Sequence, residues 1–471
     1  MAAFDIVVIG AGPGGYPAAI RAAQLGASVA LVEKEALGGT CLNWGCIPTK
    51  TLIASAELYA RIKAAASMGL RVEGASFDYA AMADRKNEVV QKLRNGVKQL
   101  LKANGVAVFE GGAAFEGRNR LRVTPPADGA ESVTLAAGKT IIATGAASAM
   151  PTFLPKHPRV VESKSFLNLR ALPASTLVLG GGVIGCEFAC MLAQLGVQVT
   201  IVELLEDILV VVDADVRREL RRHMEKDLHI RILTGKTLEE ITASDKSVRG
   251  RVGEERVEAE MLLVALGRKP ALKDLALESA GLAVNERGCL DVDAYGRTRV
   301  ATVYAVGDVT GGPLLAHAAT SQGLVAAENA CGLHLRKNEK VIPNCIFTTP
   351  EIGSVGLTEQ EAAQQGRRVK AGKFPLAVSG KALAADAASG FVKWVADADT
   401  LQLLGAHAVG AHATELIAEA AVAIRAELTA VELARTIHAH PTLAETWMEA
   451  AHIIQGEPLH SSPARKPSKN N

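Results

Sequence analysis

Two cysteines stand five residues apart in Gly38-Gly39-Thr40-Cys41-Leu42-Asn43-Trp44-Gly45-Cys46-Ile47-Pro48-Thr49-Lys50, among glycines, a proline and a lysine. That spacing suggests a redox pair. In a regular helix, residues five apart lie beyond the ~7 Å Cα separation a disulfide tolerates; the glycines and Pro48 let the backbone deviate and close the ring. A small ring near a helix start also favours a thiolate. A zinc half-site and two core thiols are the competing readings, but zinc wants a second Cys/His pair at ligand spacing, and the sequence offers none. A second constellation lies near the other end, in His438-Ala439-His440-Pro441-Thr442-Leu443-Ala444-Glu445. It sets an imidazole before a proline that can start a helix, with a carboxylate five residues on to orient the ring. Such a pair makes a general base; a histidine capping a helix is the alternative.

The elements that hold these groups can be read outward from the glycines. An apolar strand over 4–9 runs into Gly10-Ala11-Gly12-Pro13-Gly14-Gly15, then an alanine-rich helix, Gly26, a strand over 28–32, and Glu33. Glycines permit the tight turn and let a pyrophosphate approach the helix N-terminus, while Glu33 can accept from ribose hydroxyls. The pattern returns in Gly180-Gly181-Gly182-Val183-Ile184-Gly185, Gly196 and Glu203. Gly10/Gly180, Gly12/Gly182, Gly15/Gly185, Gly26/Gly196 and Glu33/Glu203 share one offset of 170 residues, so the chain carries two dinucleotide-binding units. A glutamate at 203, where an arginine would accommodate a 2′-phosphate, favours NAD over NADP.

Between and after the units the pattern predicts helices over 52–66 and 79–103, then short strands over 106–142 that end in Thr140-Ile141-Ile142-Ala143-Thr144-Gly145. A strand over 261–265 opens into Leu266-Gly267-Arg268, and Val303-Tyr304-Ala305-Val306-Gly307-Asp308 places a carboxylate past another apolar strand, where it can accept from a polyol or cap the next turn. Asp213, Asp215 and the charged run to about 230 read as a solvated helix face without chemistry. From 341 the fingerprint is gone: strands over 345–355, 391–395 and 403–408, a capping box at Thr358 and Glu361, and helices from 414 predict a separate α+β domain. The Ser-, Pro- and Lys-rich tail 457–471 reads as disordered.

At 471 residues and 49% hydrophobic content the chain has material for two to four cored domains. Its 51 basic and 50 acidic residues leave no field to steer nucleic acid or an anionic membrane, and no apolar run spans a bilayer. The strand beginning at residue 4 leaves no room for a secretion signal, and seven cysteines suit a reducing, cytoplasmic setting in which Cys41 and Cys46 cycle. Cys186, Cys190, Cys289, Cys331 and Cys345 read as core residues.

The cysteine segment closely resembles the active-site disulfide of the pyridine nucleotide-disulfide oxidoreductases, and the likeness runs from residue 4 to about 456 in that family's domain order. Its Asn-Trp-Gly-Cys-Ile-Pro-Thr-Lys wording is nearest to the branch that oxidises dihydrolipoyl groups of 2-oxo-acid dehydrogenase or glycine-cleavage complexes. The resemblance implies an α/β fold with two doubly wound Rossmann-like domains and a C-terminal α+β dimerisation domain. Its implied limits are 1–148 for the first part of the FAD domain, 149–273 for the NAD domain, 274–341 for the central part and 342–456 for the interface. It implies that Cys41 exchanges with the dithiol, that Cys46 faces the flavin, and that His440 and Glu445 form the acid–base dyad at the disulfide of the partner subunit in a homodimer. FAD would lie against Gly10, Gly12, Gly15, Glu33, Thr40, Lys50, Ala113, Thr144, Gly145, Asp308, Leu315, Ala316 and His317, with Glu187 paired to Lys50. NAD would lie against Gly180, Gly182, Gly185, Glu203 and Gly267. A lipoylated acyltransferase or carrier protein is the implied substrate, with no metal. The chain departs from the family at Gly111-Gly112-Ala113, at Leu314, and in lacking an acid over 318–323. Glutathione reductases share the cysteine pair and the His-Pro-Thr-x-x-Glu, but use NADP; a non-catalytic flavoprotein in a complex is the remaining alternative.

Overall fold

The computed structural model describes residues 2–127 and 130–462. Within the tail expected to be disordered, residues 457–462 form neither helix nor strand, and 463–471 lie outside the described residues.

Strand Ala2–Ile9 is buried over Ile6–Ile9, as its unbroken apolar run requires of a strand covered on both faces. It pairs in parallel with Val29–Glu33 on one side and Val133–Ile142 on the other, and Ala107–Glu110 extends the sheet. The far edge of Val133–Ile142 is shared: Arg120–Thr124 runs antiparallel along its first half, and Val303–Ala305 runs parallel along its second. The chain therefore returns to its first sheet after completing the second. That second sheet is wholly parallel, in the order Arg231–Leu233, Gln198–Val202, Ser175–Leu179, Met261–Val264, Val160–Glu162. The helices Gly15–Gln24 and Val183–Gln194 follow the two glycine turns.

The C-terminal part is a five-stranded antiparallel sheet in the order Asn344–Ile346, Glu351–Gly356, Leu403–Gly410, Phe391–Asp397, Val369–Pro375. Helices Ala413–Arg425 and Glu445–Gln455 cover one face. Gly353 and Gly372 make room for them, since a Cβ there would meet the carbonyl oxygens of Ala413 and Ala450 at 2.3 and 2.1 Å. Side chains alternate between the faces. Ile352, Phe391 and Val409 therefore point the other way, into an apolar core shared with Leu52, Ile53 and Ala56 and with Cys186, Phe188 and Cys190. One core thus binds all three parts together.

Several expectations change. The predicted helix over 52–66 begins at Cys46 and ends at Lys63, because Pro48 falls in the first turn, where its missing N–H has no intrahelical partner to lose. The strand expected over 345–355 is two strands separated by a turn. The Thr358–Glu361 capping box forms. Cys186, Cys190 and Cys289 are buried, whereas Cys331 and Cys345 are only partly so.

Candidate active site

Helices Gly39–Trp44 and Cys46–Lys63 meet at Gly45, where a Cβ would lie 2.9 Å from the Thr40 carbonyl oxygen and 3.2 Å from Cys41 Cα. Only glycine lets the chain fold back closely enough to set Cys41 against Cys46. Both are free thiols in this structure. A hydrogen bond from the Cys41 thiol holds Cys46 down to about 7, against the opposing effect of burial and with help from the Lys50 charge. The same bond, with burial, pushes Cys41 well up. Cys46 is thus the thiolate of the pair and Cys41 its donor. Its place at the first position of an 18-residue helix adds the favourable end of the helix dipole.

Lys50 follows Cys46 by one helical turn and extends its ammonium to both carboxylate oxygens of Glu187, at 2.8 Å each. Glu187 is 4% exposed and also accepts from the Phe347 amide at 2.9 Å, while Lys50 lies 4.6 Å from the Phe347 ring centroid. Its helix begins at Val183, so Glu187 lies beyond the first turn; the ion pair, not compensation of the helix dipole, explains a buried acid here.

The two glycine turns are built alike. A Cβ on Gly10 would meet the Ala143 carbonyl oxygen at 2.4 Å, and one on Gly180 would meet that of Ala265 at 2.5 Å. A Cβ on Gly15 or Gly185 would strike the first glycine's own carbonyl at 1.8 or 2.0 Å. Gly12 and Gly182 have open space before them, save for the Gly39 Cα at 3.9 Å from a Cβ on Gly12. Glu33 accepts from the amides of Ala11 and Glu35 at 2.7 and 2.8 Å, and Glu203 from those of Gly181 and Leu205 at 2.5 and 2.8 Å. Each acid is therefore fixed at the mouth of its turn.

Around the first turn, Thr40 accepts from Arg268 at 3.3 Å, and Arg268 lies 3.8 Å from the Asp308 carboxylate and bonds the Ala146 carbonyl. Burial raises Asp308 above the ordinary carboxylate range, with Arg268 opposing. Among the described residues the buried Thr144 hydroxyl has no hydrogen-bond partner, and Gly145 and Gly267 turn through φ +68° and +92°. Ala113 lies in strand Gly112–Gly117 with its side chain buried in the core. Leu315 caps the helix Ala316–Ala330, and the His317 ring turns outward to the Pro343 carbonyl at 2.7 Å.

His440 Nδ1 meets Glu445 Oε1 at 2.8 Å, and the other Glu445 oxygen accepts from the Thr442 amide at 2.8 Å. Burial alone would raise Glu445; that amide and His440 hold it below its ordinary value. Pro441 does not start the helix. Thr442 closes a turn onto the Ala439 carbonyl at 2.7 Å, and the helix begins only at Glu445. The His440 side chain is 80% exposed, and among the described residues no hydrogen bond joins it to either cysteine.

Sequence reading missed Arg268, Phe347 and Tyr16. Burial and then the Cys41 charge raise the Tyr16 hydroxyl, and no local signal distinguishes it in the alanine-rich helix. It also took Asp213 and Asp215 for a solvated face. Asp213 is in fact 4% exposed and meets Lys393, 3% exposed, at 2.8 Å. Among the described residues there is no group of three or more His, Cys, Asp or Glu able to hold a metal ion, and no helix long and apolar enough to cross a membrane.

Residues 4–323 match the pyridine nucleotide-disulphide oxidoreductase family, and residues 342–451 match that family's dimerisation domain. The chain is similar to the dihydrolipoyl dehydrogenases of Chlamydia pneumoniae, at 43% identity covering 98% of this chain and 99% of that protein, and of Halobacterium salinarum, at 43% covering 97% of each. Among solved structures it resembles LpdA of Mycobacterium tuberculosis (TM-score 0.89, 27% identity, 96% of this chain and 99% of that one). It also resembles the Cu(II) complex of the flavoprotein disulfide reductase RclA of Escherichia coli (TM-score 0.87, 31% identity, 96% and 100%). With two glycine turns, a cysteine pair between them and a dimerisation domain behind them, the chain belongs to the pyridine nucleotide-disulphide oxidoreductase family.

Proposed function

We propose that the protein oxidises dihydrolipoyl groups borne by an acyltransferase or carrier protein, with FAD held by residues 1–148 and 274–341 and NAD+ by 149–273. The observation that carries this reading is the Cys41–Cys46 pair with its thiolate at Cys46, one helical turn from the Lys50–Glu187 ion pair.

Both dinucleotides suit the residues present. Each glycine turn leaves no space for a side chain where the backbone closes, and each offers amides at a helix start to a pyrophosphate. The unpartnered Thr144 hydroxyl and the buried Asp308 carboxylate supply polar groups for the flavin. Bound FAD would take the electron pair from the reduced cysteines and pass hydride to NAD+. His440, oriented by Glu445, takes the proton from the first substrate thiol. The substrate thiolate attacks Cys41 Sγ of the oxidised pair, the sulfur–sulfur bond breaks, and Cys46 leaves as a thiolate, which Lys50 helps hold. The second substrate thiol then displaces Cys41, releasing the cyclic disulfide and leaving both cysteines reduced. The exposure of His440 supports its service to the cysteine pair of a second copy of the chain in a homodimer. A cytoplasmic, reducing setting suits thiols that cycle.

The test is turnover of free dihydrolipoamide with NAD+. Rapid turnover that His440→Ala cripples, while NADH-to-dye transfer survives, is the expected result. Failure with dihydrolipoamide but turnover of glutathione disulfide with NADPH would overturn the assignment.

A further inference from the structure

The two nucleotide turns are alike in how the following loop touches them, and differ in where that loop goes. In the first unit the Gly38 amide donates to the Ala11 carbonyl at 2.9 Å, and the chain proceeds directly into the cysteine helix. In the second the Leu209 amide donates to the Gly181 carbonyl at 2.9 Å, and Ile208 packs so closely that a Cβ on Gly181 would meet it at 2.7 Å. This loop carries no redox group. It runs instead to Asp213, which caps the helix Ala214–Lys226 with one oxygen and meets Lys393 of the interface sheet with the other.

Lys393 projects from the sheet face opposite the helices Ala413–Arg425 and Glu445–Gln455, with His407 and Lys373 as its cross-strand neighbours. Its ammonium lies 2.8 Å from Asp213, 3.3 Å from Asp215 and 2.6 Å from Glu359. Lys373 reaches Asp215 at 3.4 Å and Arg218 does so at 3.0 Å, so three cations answer three carboxylates. From the other side, Arg217 and Arg221 hold Asp207 in the same loop at 2.9 and 2.6 Å. The loop between Glu203 and Asp213 is therefore tied to the glycine turn at its middle and to the interface domain at its end. A buried ammonium among carboxylates fixes geometry well, because any displacement leaves a charge unpaired away from water.

We propose that Lys393 is a positioning residue for the pyridine-nucleotide site, holding the 203–213 loop against the second glycine turn from the interface domain. This rests on the reading of the second unit as the NAD site. Among the described residues the Lys393 ammonium pairs with Asp213, Asp215 and Glu359 and with no group of the cysteine helix or the first turn, so its loss falls on nucleotide binding and spares the dithiol half of the reaction.

The test uses the flavin-loaded protein and the variants Lys393→Met and Lys393→Arg, with NADH titrated under anaerobic conditions and the rate of flavin reduction by dihydrolipoamide measured without nucleotide. Lys393→Met is expected to weaken NADH binding and raise KM for NAD+ about tenfold, to leave dithiol-driven reduction within about twofold of wild type, and to be restored largely by Lys393→Arg. Unchanged nucleotide binding, or equal loss in both halves, overturns the proposal. Should Lys393→Met fail to fold, Asp213→Asn with Lys393→Met removes the stranded carboxylate and is held to the same criteria. A double variant that also fails to fold assigns the cluster to folding alone and overturns positioning. Wild-type protein that reduces its flavin with dihydrolipoamide but does not bind NADH would sink the underlying nucleotide reading instead.

Discussion

Lys50 and Glu187 are 137 residues apart in the chain and 2.8 Å apart in space, joining the cysteine helix to the helix of the second glycine turn. Glu187 is the buried partner, at 5% side-chain exposure against 28% for Lys50. Lys50→Met therefore leaves a carboxylate whose one remaining partner among the described residues is the Phe347 amide, and is expected to cost about 2–3 kcal/mol, allowing for the lysine's partial exposure. Lys50→Met with Glu187→Gln should recover most of that in thermal unfolding. Equal melting temperatures for the single and double variants would show that the pair is not coupled.

The Cys46 thiol sits at about 7, below its ordinary 9.0, so the sign of its pH dependence is set. The thiolate is present above that value and is lost as pH falls through it; the stability it contributes is complete above 9 and disappears below 7. Reduced, flavin-loaded protein should show a long-wavelength absorbance from thiolate beside flavin that fades as pH falls through about 7. Cys41→Ala removes the donor that lowers Cys46 and should shift this titration upward while keeping the band; Cys46→Ser should abolish it. The opposite pattern would exchange the two roles.

Glu203 is held by the Gly181 and Leu205 amides, so it cannot turn away from an incoming ribose without losing both bonds. It accepts from a free 2′-hydroxyl and repels a 2′-phosphate. A preference for NAD+ over NADP+ of at least ~100-fold in kcat/KM, about 2.7 kcal/mol, is expected. Equal use of the two nucleotides by the wild type would refute this.

The solvent-facing His440 makes a further prediction about the dimer. Cys46→Ser and His440→Ala are each expected to be nearly inactive alone. Coexpressed, they form mixed dimers in which one site carries both lesions and the other neither; random pairing should return about a quarter of wild-type activity. No recovery in a verified heterodimer would place both groups in one chain.

What the sequence determined by itself was whatever local sterics decide. Gly10, Gly15, Gly180 and Gly185 sit where a Cβ would strike a carbonyl, so the two turns and the acids closing them were legible at a fixed offset of 170 residues. The Cys41–Cys46 pair, the Thr358–Glu361 capping box and the His440–Glu445 pair lie within five residues each, so spacing could suggest them, and for the cysteines and the histidine the family resemblance chose among the alternatives. Tertiary structure alone decided which distant charges meet. Asp213 and Lys393 are 180 positions apart; each looks like an ordinary surface charge until two domains close over them and burial forces them to pair. The pairing of Glu187 with Lys50 came from the family resemblance and Arg268 was missed for the same reason, since a helix or strand pattern fixes the face a side chain occupies but not what packs against that face. The place of His440 was likewise decided by packing: the helix Glu445–Gln455 that follows its loop is set by Trp447, Ala450, Ala451 and Ile454 in the core of the interface sheet, and no single stretch of the chain determines that core.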